Sequence, residues 1–139
     1  MAIKYWVGAK AIVYNTKLKK LLLMKRSYYD TSAGMWENPG GKKEVGETME
    51  ETLRREVFEE TGIEVKEYRQ LYITTINEER NPFVIIGYFV TTEKEELDLS
   101  FEHVEYKWVS VDEYLGLVDR GIKKDFIDSN VKDIIKEYE

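Results

Sequence analysis

One segment of the chain, residues 41–63, constrains the fold more than any other. Its sequence is GKKEVGETMEETLRREVFEETGI, in which Thr48 is a good helix N-cap and Glu51 completes a capping box. Gly62 is the usual residue for the left-handed position that follows a helix. The segment therefore predicts a helix over residues 49–61 that is entered from a glycine-containing loop.

Acidic residues of this predicted helix lie next to its apolar stripe. Positions seven apart in a helix return to within about 20° of the same direction. Glu56 therefore lies below Met49, and Glu60 lies below Leu53. The acidic side chains continue the apolar stripe instead of opposing it.

On that core-proximal side, Glu56, Glu59 and Glu60 would repel one another and lose hydration. A solvated charged face is the ordinary explanation for glutamates on a helix, and we keep it for Glu50 and Glu51. For the other three, a positive group must compensate the charge. A cluster of hard oxygen atoms suits Mg²⁺ or Mn²⁺, which also share phosphate oxygens with a substrate. The sequence therefore predicts a divalent metal site.

Two further features surround the predicted helix. Arg55 cannot lose its proton and binds carboxylates through a forked group, so we expect it to orient Glu47 or a helix glutamate. Before the helix, residues 38–41 (Asn-Pro-Gly-Gly) are expected to form a loop whose backbone can approach a metal or a phosphate, because glycine has no Cβ. Two adjacent glycines alone more often just form a turn.

The segment matches, at every fixed position, the pattern G-x5-E-x7-R-E-U-x-E-E-x-G-U, in which U is an aliphatic residue. Through this pattern the chain resembles the Nudix hydrolases. The resemblance implies that the carbonyl of Gly40 and the side chains of Glu56, Glu59 and Glu60 are metal ligands. It also implies that a further acidic residue comes from a later loop.

Glu102 is the best match for that later acidic residue. Family members often carry a ligand or base six residues before a tryptophan, and Glu102 stands at that distance from Trp108. Glu105 is its rival. His103 is the only histidine and could shuttle protons, although a structural role is the simpler interpretation. With one histidine and no cysteine, thiolate or histidine-rich metal sites and Cys/His catalysis are excluded.

These residues predict metal-assisted attack of water on a phosphorus atom of a pyrophosphate bridge. Glu56 or Glu102 would accept the proton of the water, and the sequence leaves that choice open. The predicted catalytic residues are Glu47, Arg55, Glu56 and Glu102. The predicted cofactor is Mg²⁺, with Mn²⁺ as the alternative.

The predicted substrate is a small nucleotide. The Trp-x-x-Pro-Gly-Gly stretch at residues 36–41 resembles that of nucleoside-triphosphate pyrophosphohydrolases, and this favours an unmodified or oxidised nucleoside triphosphate. The alternatives are an ADP-ribose or nucleotide-sugar pyrophosphatase and, from another class, a nucleotide-binding sensor without catalysis. Retention of the glutamate cluster argues against the sensor.

Substrate contacts are predicted from cationic and aromatic residues near the glycine loop. The phosphate candidates are Lys25, Arg26, Lys42, Lys43 and Arg80, and the stacking candidates are Tyr28, Tyr29, Trp36 and Phe83. From these, the predicted substrate-binding set is Arg26, Trp36, Lys42 and Phe83. Arg26 is favoured because it ends an apolar strand near the loop. A structural or solvated role is equally compatible with each of them.

Composition defines the setting of this site. A chain of 139 residues without internal repeats predicts a single domain over residues 1–139. A net charge of −6 argues against general nucleic-acid binding. The apolar runs are too short to span a membrane, the N-terminus lacks the form of a signal peptide, and the absence of cysteine leaves a cytoplasmic location as the default expectation.

Strand patterns dominate outside the predicted helices. The predicted strands are residues 5–14, 20–25, 67–76, 83–91 and 105–109, and two further helices are predicted over residues 111–117 and 123–138. This predicts an α/β fold with a mixed sheet. The resemblance implies the Nudix α/β/α sandwich, in which the signature helix (residues 49–61) and a C-terminal helix pack on a mixed β-sheet. Relatives often form dimers, so a homodimer is compatible with the resemblance.

Overall fold

A mixed β-sheet of seven strands, built from alternating apolar residues, forms the centre of the fold. The computed structural model describes residues 2–27 and 34–139. The first four strands are β1 (Trp6–Asn15), β2 (Lys20–Arg26), β3 (Trp36–Glu37) and β4 (Gly40–Lys42), and helix α1 (Met49–Thr61) follows. Next come β5 (Tyr68–Ile76), β6 (Phe83–Thr92) and β7 (His103–Val109). The C-terminal helices are α2 (Val111–Leu117), α3 (Arg120–Asp128) and α4 (Val131–Lys136).

The sheet opens between β1 and β2. These strands pair only at Tyr14↔Leu21 and Asn15↔Lys20, and both then continue away from each other. Beyond this point β4 pairs with β1 and β3 pairs with β2, on the edges that face each other. The other edge of β1 is occupied by β6, which runs parallel to it and pairs in turn with β5, and the other edge of β2 is occupied by β7, which runs antiparallel to it. The short strands β3 and β4 therefore line the two sides of the opening.

Two apolar clusters cover the two faces of the sheet. Because side chains alternate along a strand, Ala9, Ala11 and Val13 of β1 enter the cluster beneath α1. Ile12 and Tyr14 enter the cluster beneath α2, α3 and α4. The result is an α/β/α sandwich with a mixed sheet, which confirms the fold predicted from the sequence.

Helix α1 begins and ends where its sequence predicts. The hydroxyl of Thr48 accepts the N–H of Glu51, and the carboxylate of Glu51 accepts the N–H of Thr48, which completes the capping box. Gly62 follows the helix with φ 79° and ψ 2°, a left-handed conformation that glycine adopts without steric cost.

The C-terminal layer differs from the prediction of one helix over residues 123–138. It contains α3 and α4, separated at Ser129 and Asn130, and Asn130 adopts a left-handed conformation with φ 55°. Asparagine tolerates this conformation better than most residues. The change of direction lets Phe126 of α3 and Val131 of α4 enter the same apolar cluster. No helix in the described part of the chain is long and apolar enough to cross a membrane.

The segment predicted as a loop over residues 38–41 is also partly regular. Gly40 and Gly41 belong to β4 and pair with Lys10 and Ala9 of β1. Gly40 has φ 151°, and a Cβ at this position would lie 2.0 Å from the carbonyl oxygen of Ala9. Only glycine allows the two backbones to approach this closely, so glycine at position 40 is required by the strand contact itself.

Candidate active site

A bidentate ion pair between Arg55 and Glu47 ties α1 to the loop before it. Nε of Arg55 donates to Oε2 of Glu47 at 2.6 Å, and Nη2 donates to Oε1 at 3.0 Å. The hydroxyl of Thr52 and the N–H of Glu44 also donate to Oε1. The hydrogen bonds from Arg55 and from the backbone of Glu44 lower the pKa of Glu47 to about 2. Glu47 is therefore a fixed anion at neutral pH.

The same guanidinium group reaches the other glutamates. Nη1 of Arg55 donates to Oε1 of Glu56 at 2.8 Å and to Oε2 of Glu59 at 3.3 Å. Nη2 donates to the backbone carbonyl of Lys42 in β4 at 2.9 Å. Arg55 thus connects the loop before the helix, helix α1 and the glycine strand (β4, Gly40–Lys42), which is the geometry expected of an orienting residue.

Glu56 lies directly against the glycine strand. A Cβ at Gly41 would be 2.5 Å from the carboxylate of Glu56, so the backbone of β4 can approach this acid only because residue 41 is glycine. Burial raises the pKa of Glu56, the contacts with Arg55 lower it, and the charges of Glu59 and Glu102 raise it further. Glu102, and not its rival Glu105, is among the charges that act on Glu56. This coupling favours Glu102, and its role as a ligand stays a prediction.

Glu60 is the most deeply buried of the helix glutamates, with 3% of its surface exposed. Its Oε1 accepts the N–H of Gly40 at 3.0 Å. Burial raises the pKa of Glu60 to about 7, although Lys10, the Gly40 N–H and His103 act in the opposite direction. The surrounding protein therefore does not fully compensate a negative charge on Glu60.

A second group of charges lies across the opening, around Glu37 of β3. The carboxylate of Glu37 accepts from Nη1 of Arg26 at 3.1 and 3.0 Å and from Nζ of Lys10 at 3.5 Å. Nε2 of His103 lies 2.9 Å from Oε2 of Glu37. Burial alone would raise the pKa of Glu37, but the hydrogen bond with His103 and the charges of Lys10 and Arg26 outweigh it and lower the pKa to about 2.

No motif in the sequence points to Glu37 or Lys10. Two weaker signals exist: Lys10 is the only charged residue within β1, and Glu37 stands inside the Trp-x-x-Pro-Gly-Gly stretch. Neither signal identifies a partner, because the pairing depends on the opening between β1 and β2. His103, expected to have a structural role, contacts Glu37 and is buried with 6% of its surface exposed.

The predicted substrate-binding residues fall into two places. Arg26 is engaged with Glu37, and Trp36 lies beneath the ammonium groups of Lys25 and Lys107, 5.9 and 4.9 Å from its ring centre. Tyr28 and Tyr29, the other stacking candidates, lie outside the described residues.

Lys42 and Phe83 lie beside an aromatic residue that no motif indicates. Nζ of Lys42 is 4.2 Å from the ring centre of Trp6, and Trp6 is 53% exposed. Trp6 and Phe83 are paired across β1 and β6, and the Phe83 ring occupies the space that a side chain at Gly8 would need. The exposed Trp6 and the half-buried Phe83 together form an aromatic surface with a cation at its side.

The donor set fits a hard divalent cation. Glu56 and Glu60 are carboxylates with raised pKa values, so a cation is the compensation that the protein itself does not supply. Within residues 2–27 and 34–139, no three His, Cys, Asp or Glu side chains are assembled closely enough to enclose an ion by themselves. Mg²⁺ does not require such a cage, because it is usually held by one or two carboxylates together with water and substrate phosphates.

Residues 4–129 match the family model of the NUDIX domain. The chain belongs to the Nudix family. It is 35% identical over 102 residues to the NAD-capped RNA hydrolase NudC of Mannheimia succiniciproducens, covering 71% of this chain and 38% of that protein. It is 35% identical over 77 residues to the 8-oxo-dGTP diphosphatase of Proteus vulgaris, covering 55% of this chain and 68% of that protein.

The structure is similar to that of the MutT protein from Methanosarcina mazei Go1, with a TM-score of 0.84, 27% identity and coverage of 96% of this chain and 98% of that one. The described part is therefore a Nudix hydrolase domain, of a family that acts on pyrophosphate bonds in nucleoside diphosphate derivatives. Because the chain spans 38% of the NudC relative, it corresponds to only a part of that protein.

Proposed function

We propose that this protein is a Mg²⁺-dependent pyrophosphohydrolase that cleaves a phosphoanhydride bond of a nucleoside triphosphate by attack of water on phosphorus. One observation supports it most strongly: the half-buried carboxylate of Glu56 and the buried carboxylate of Glu60 lie against the Gly40–Gly41 backbone without enough positive charge to balance them. A cation and the phosphates that accompany it would restore that balance.

The proposed metal ligands are Glu56, Glu59, Glu60, Glu102 and the carbonyl of Gly40. A cation held by these residues would neutralise phosphate oxygens and make an attacking water more acidic. The protein holds these ligands through Arg55, which contacts Glu56 and Glu59, and through the N–H of Gly40, which holds Glu60.

Glu56 is suited to accept the proton of the attacking water. Its carboxylate lies against the glycine strand and is held there by Arg55. Arg55 donates to Oε1 of Glu56, so Glu56 would act through Oε2, whether as a ligand or as the base. Glu102 is the alternative base. Comparing the kinetics of Glu56→Gln and Glu102→Gln shows which of the two residues accepts the proton.

The substrate proposal rests on three features. The Trp-x-x-Pro-Gly-Gly stretch resembles that of nucleoside-triphosphate pyrophosphohydrolases, and one relative is named as an 8-oxo-dGTP diphosphatase. The aromatic surface of Trp6 and Phe83 offers a face for a nucleobase, and Lys42 offers a cation for phosphate or base. A second substrate class, ADP-ribose or nucleotide sugars, is favoured by the NudC relative, whose name refers to an NAD cap.

The test is product analysis with Mg²⁺, with Mn²⁺ and with EDTA, on unmodified and oxidised nucleoside triphosphates, ADP-ribose, nucleotide sugars and dinucleoside polyphosphates. Glu56→Gln is the inactive control. Glu50→Gln is the matched control, since Glu50 lies on the same helix and is paired with Arg54 at the surface. We expect turnover of triphosphates that EDTA and Glu56→Gln abolish. Tight, metal-dependent binding of a nucleotide without turnover would instead show a sensor.

A further inference from the structure

The glycine strand β4 and the two residues before it are held both by backbone hydrogen bonds and by contacts with side chains. The N–H of Gly40 donates to Glu60, and the carbonyl of Pro39 accepts the N–H of Ala11 at 2.9 Å. One residue earlier, the carbonyl of Asn38 accepts from the flexible ammonium group of Lys10 at 3.3 Å. The side chain of Asn38 has a different partner, which comes from the opposite end of the chain.

That partner is Tyr114 of α2. Its hydroxyl donates to Oδ1 of Asn38 at 2.9 Å, and the two residues are 76 positions apart in the sequence. Tyr114 is fully buried, with 0% exposure, and its ring packs on Phe126 of α3 with the ring centres 4.9 Å apart. Asn38 is also buried, with 2% exposure. The apolar cluster of the C-terminal helices therefore fixes the ring, and the ring fixes the asparagine.

A shift of Asn38 would be passed to Gly40. Pro39 lies between them, and its ring fixes φ, so residue 39 absorbs little rotation. Gly40, with φ 151° and no Cβ, is held by its pairing with Lys10 of β1 and by its N–H bond to Glu60, so a displaced Asn38 would pull against these two contacts. The Asn38 side chain, two residues earlier, is therefore a third anchor of the backbone that leads into Gly40.

We propose that Tyr114 is a positioning residue for the metal site, because its hydroxyl, acting through Asn38, fixes the Gly40 backbone beside Glu60. The hydroxyl of Tyr114 donates to Asn38, and we expect its influence on the site to pass through that residue. The effect on metal binding rests on the proposed function, in which Gly40 supplies a metal ligand. The effect on the Gly40 backbone concerns the metal-free protein and does not depend on that function. It gives α2 and the C-terminal cluster a role in hydrolysis.

The test uses Tyr114→Phe, which removes only the hydroxyl. Tyr14→Phe is the matched control, since Tyr14 is a buried tyrosine of the same cluster. Phe126→Leu is the second control, because it loosens the packing around Tyr114 and keeps the hydroxyl. The measurements are the Mg²⁺ dissociation constant by calorimetry without substrate, amide hydrogen exchange at Gly40 and Gly41 without metal, and the melting temperature.

We expect Tyr114→Phe to weaken Mg²⁺ binding about tenfold, as loss of a supporting hydrogen bond around a metal site commonly does, and to speed exchange at Gly40 and Gly41. Tyr14→Phe should change neither property. Phe126→Leu should lower the melting temperature at least as much and leave Mg²⁺ affinity within about twofold. Asn38→Ala should match Tyr114→Phe, and the double variant should be no worse than Asn38→Ala alone.

The proposal is overturned if Tyr114→Phe leaves glycine exchange unchanged, or if its effects only follow the melting temperature as in Phe126→Leu. If the wild-type protein binds no divalent cation, the proposed function fails, and the exchange rates alone then decide whether Tyr114 positions Gly40.

Discussion

Replacing Glu37 by glutamine should remove a large, pH-dependent part of the stability. The folded protein lowers the pKa of this carboxyl from 4.5 to about 2. At about 1.4 kcal/mol per pKa unit, this shift corresponds to about 3 kcal/mol of stabilisation of the charged form. Because the pKa is lowered in the folded state, this stabilisation is fully present above pH 4.5, the unfolded value, and is lost as the pH falls toward 2. Glutamine resembles the protonated carboxyl and should lack the stabilisation at every pH.

Urea unfolding of wild type and Glu37→Gln across the acidic range measures this difference. We expect the variant to be less stable by about 3 kcal/mol at neutral pH, and the gap to shrink to roughly half at about pH 3. Glu79→Gln, at an exposed position, should change stability by less than about 0.5 kcal/mol. A gap that stays constant as the pH falls would refute the electrostatic origin of the stabilisation and would indicate a packing effect of the amide.

Three further predictions concern the site. Arg55→Lys keeps the charge and loses the fork that holds Glu47, so kcat should fall by about 10- to 100-fold in steady-state assays; an unchanged kcat would exclude an orienting role. Gly41→Ala places a Cβ against the carboxylate of Glu56, so the Mg²⁺ concentration for half-maximal activity should rise, and a wild-type metal titration would contradict the close approach. Trp6→Ala should raise KM about tenfold with kcat nearly unchanged, as expected for lost base stacking; equal KM values would place the base elsewhere.

The sequence predicts the features that depend on neighbouring residues. The capping box at Thr48, the length of α1 and the glycine after it are all local, and the structure agrees with each. The break between α3 and α4 is not predicted, because apolar residues on both sides of Asn130 are compatible with one continuous helix. Only packing in three dimensions shows that a change of direction buries both Phe126 and Val131.

The contacts across the sheet opening could not be predicted for a different reason. Glu37 has partners from β1, β2 and β7, and none of them is near it in the sequence. The hydrogen bond between Tyr114 and Asn38 likewise joins residues 76 positions apart. Such contacts follow from the register of the strands and from the opening between β1 and β2. The periodicity of apolar residues in one sequence predicts neither of these.

The acidic residues around the opening divide by how the protein compensates them. Glu37 and Glu47 have cationic partners within the chain, and the pKa of each is lowered to about 2. Glu56 is half-buried and Glu60 is buried, and the pKa of each is raised, since the same cations are already shared with other acids. Arg26 and Lys10 pair with Glu37, and Arg55 pairs mainly with Glu47. Glu56 and Glu60 are therefore left available for an external cation. Glu37 and Glu47 therefore have a structural role. Their glutamine variants should change the stability of the protein or the orientation of Arg55, and should leave the choice of bound cation unchanged.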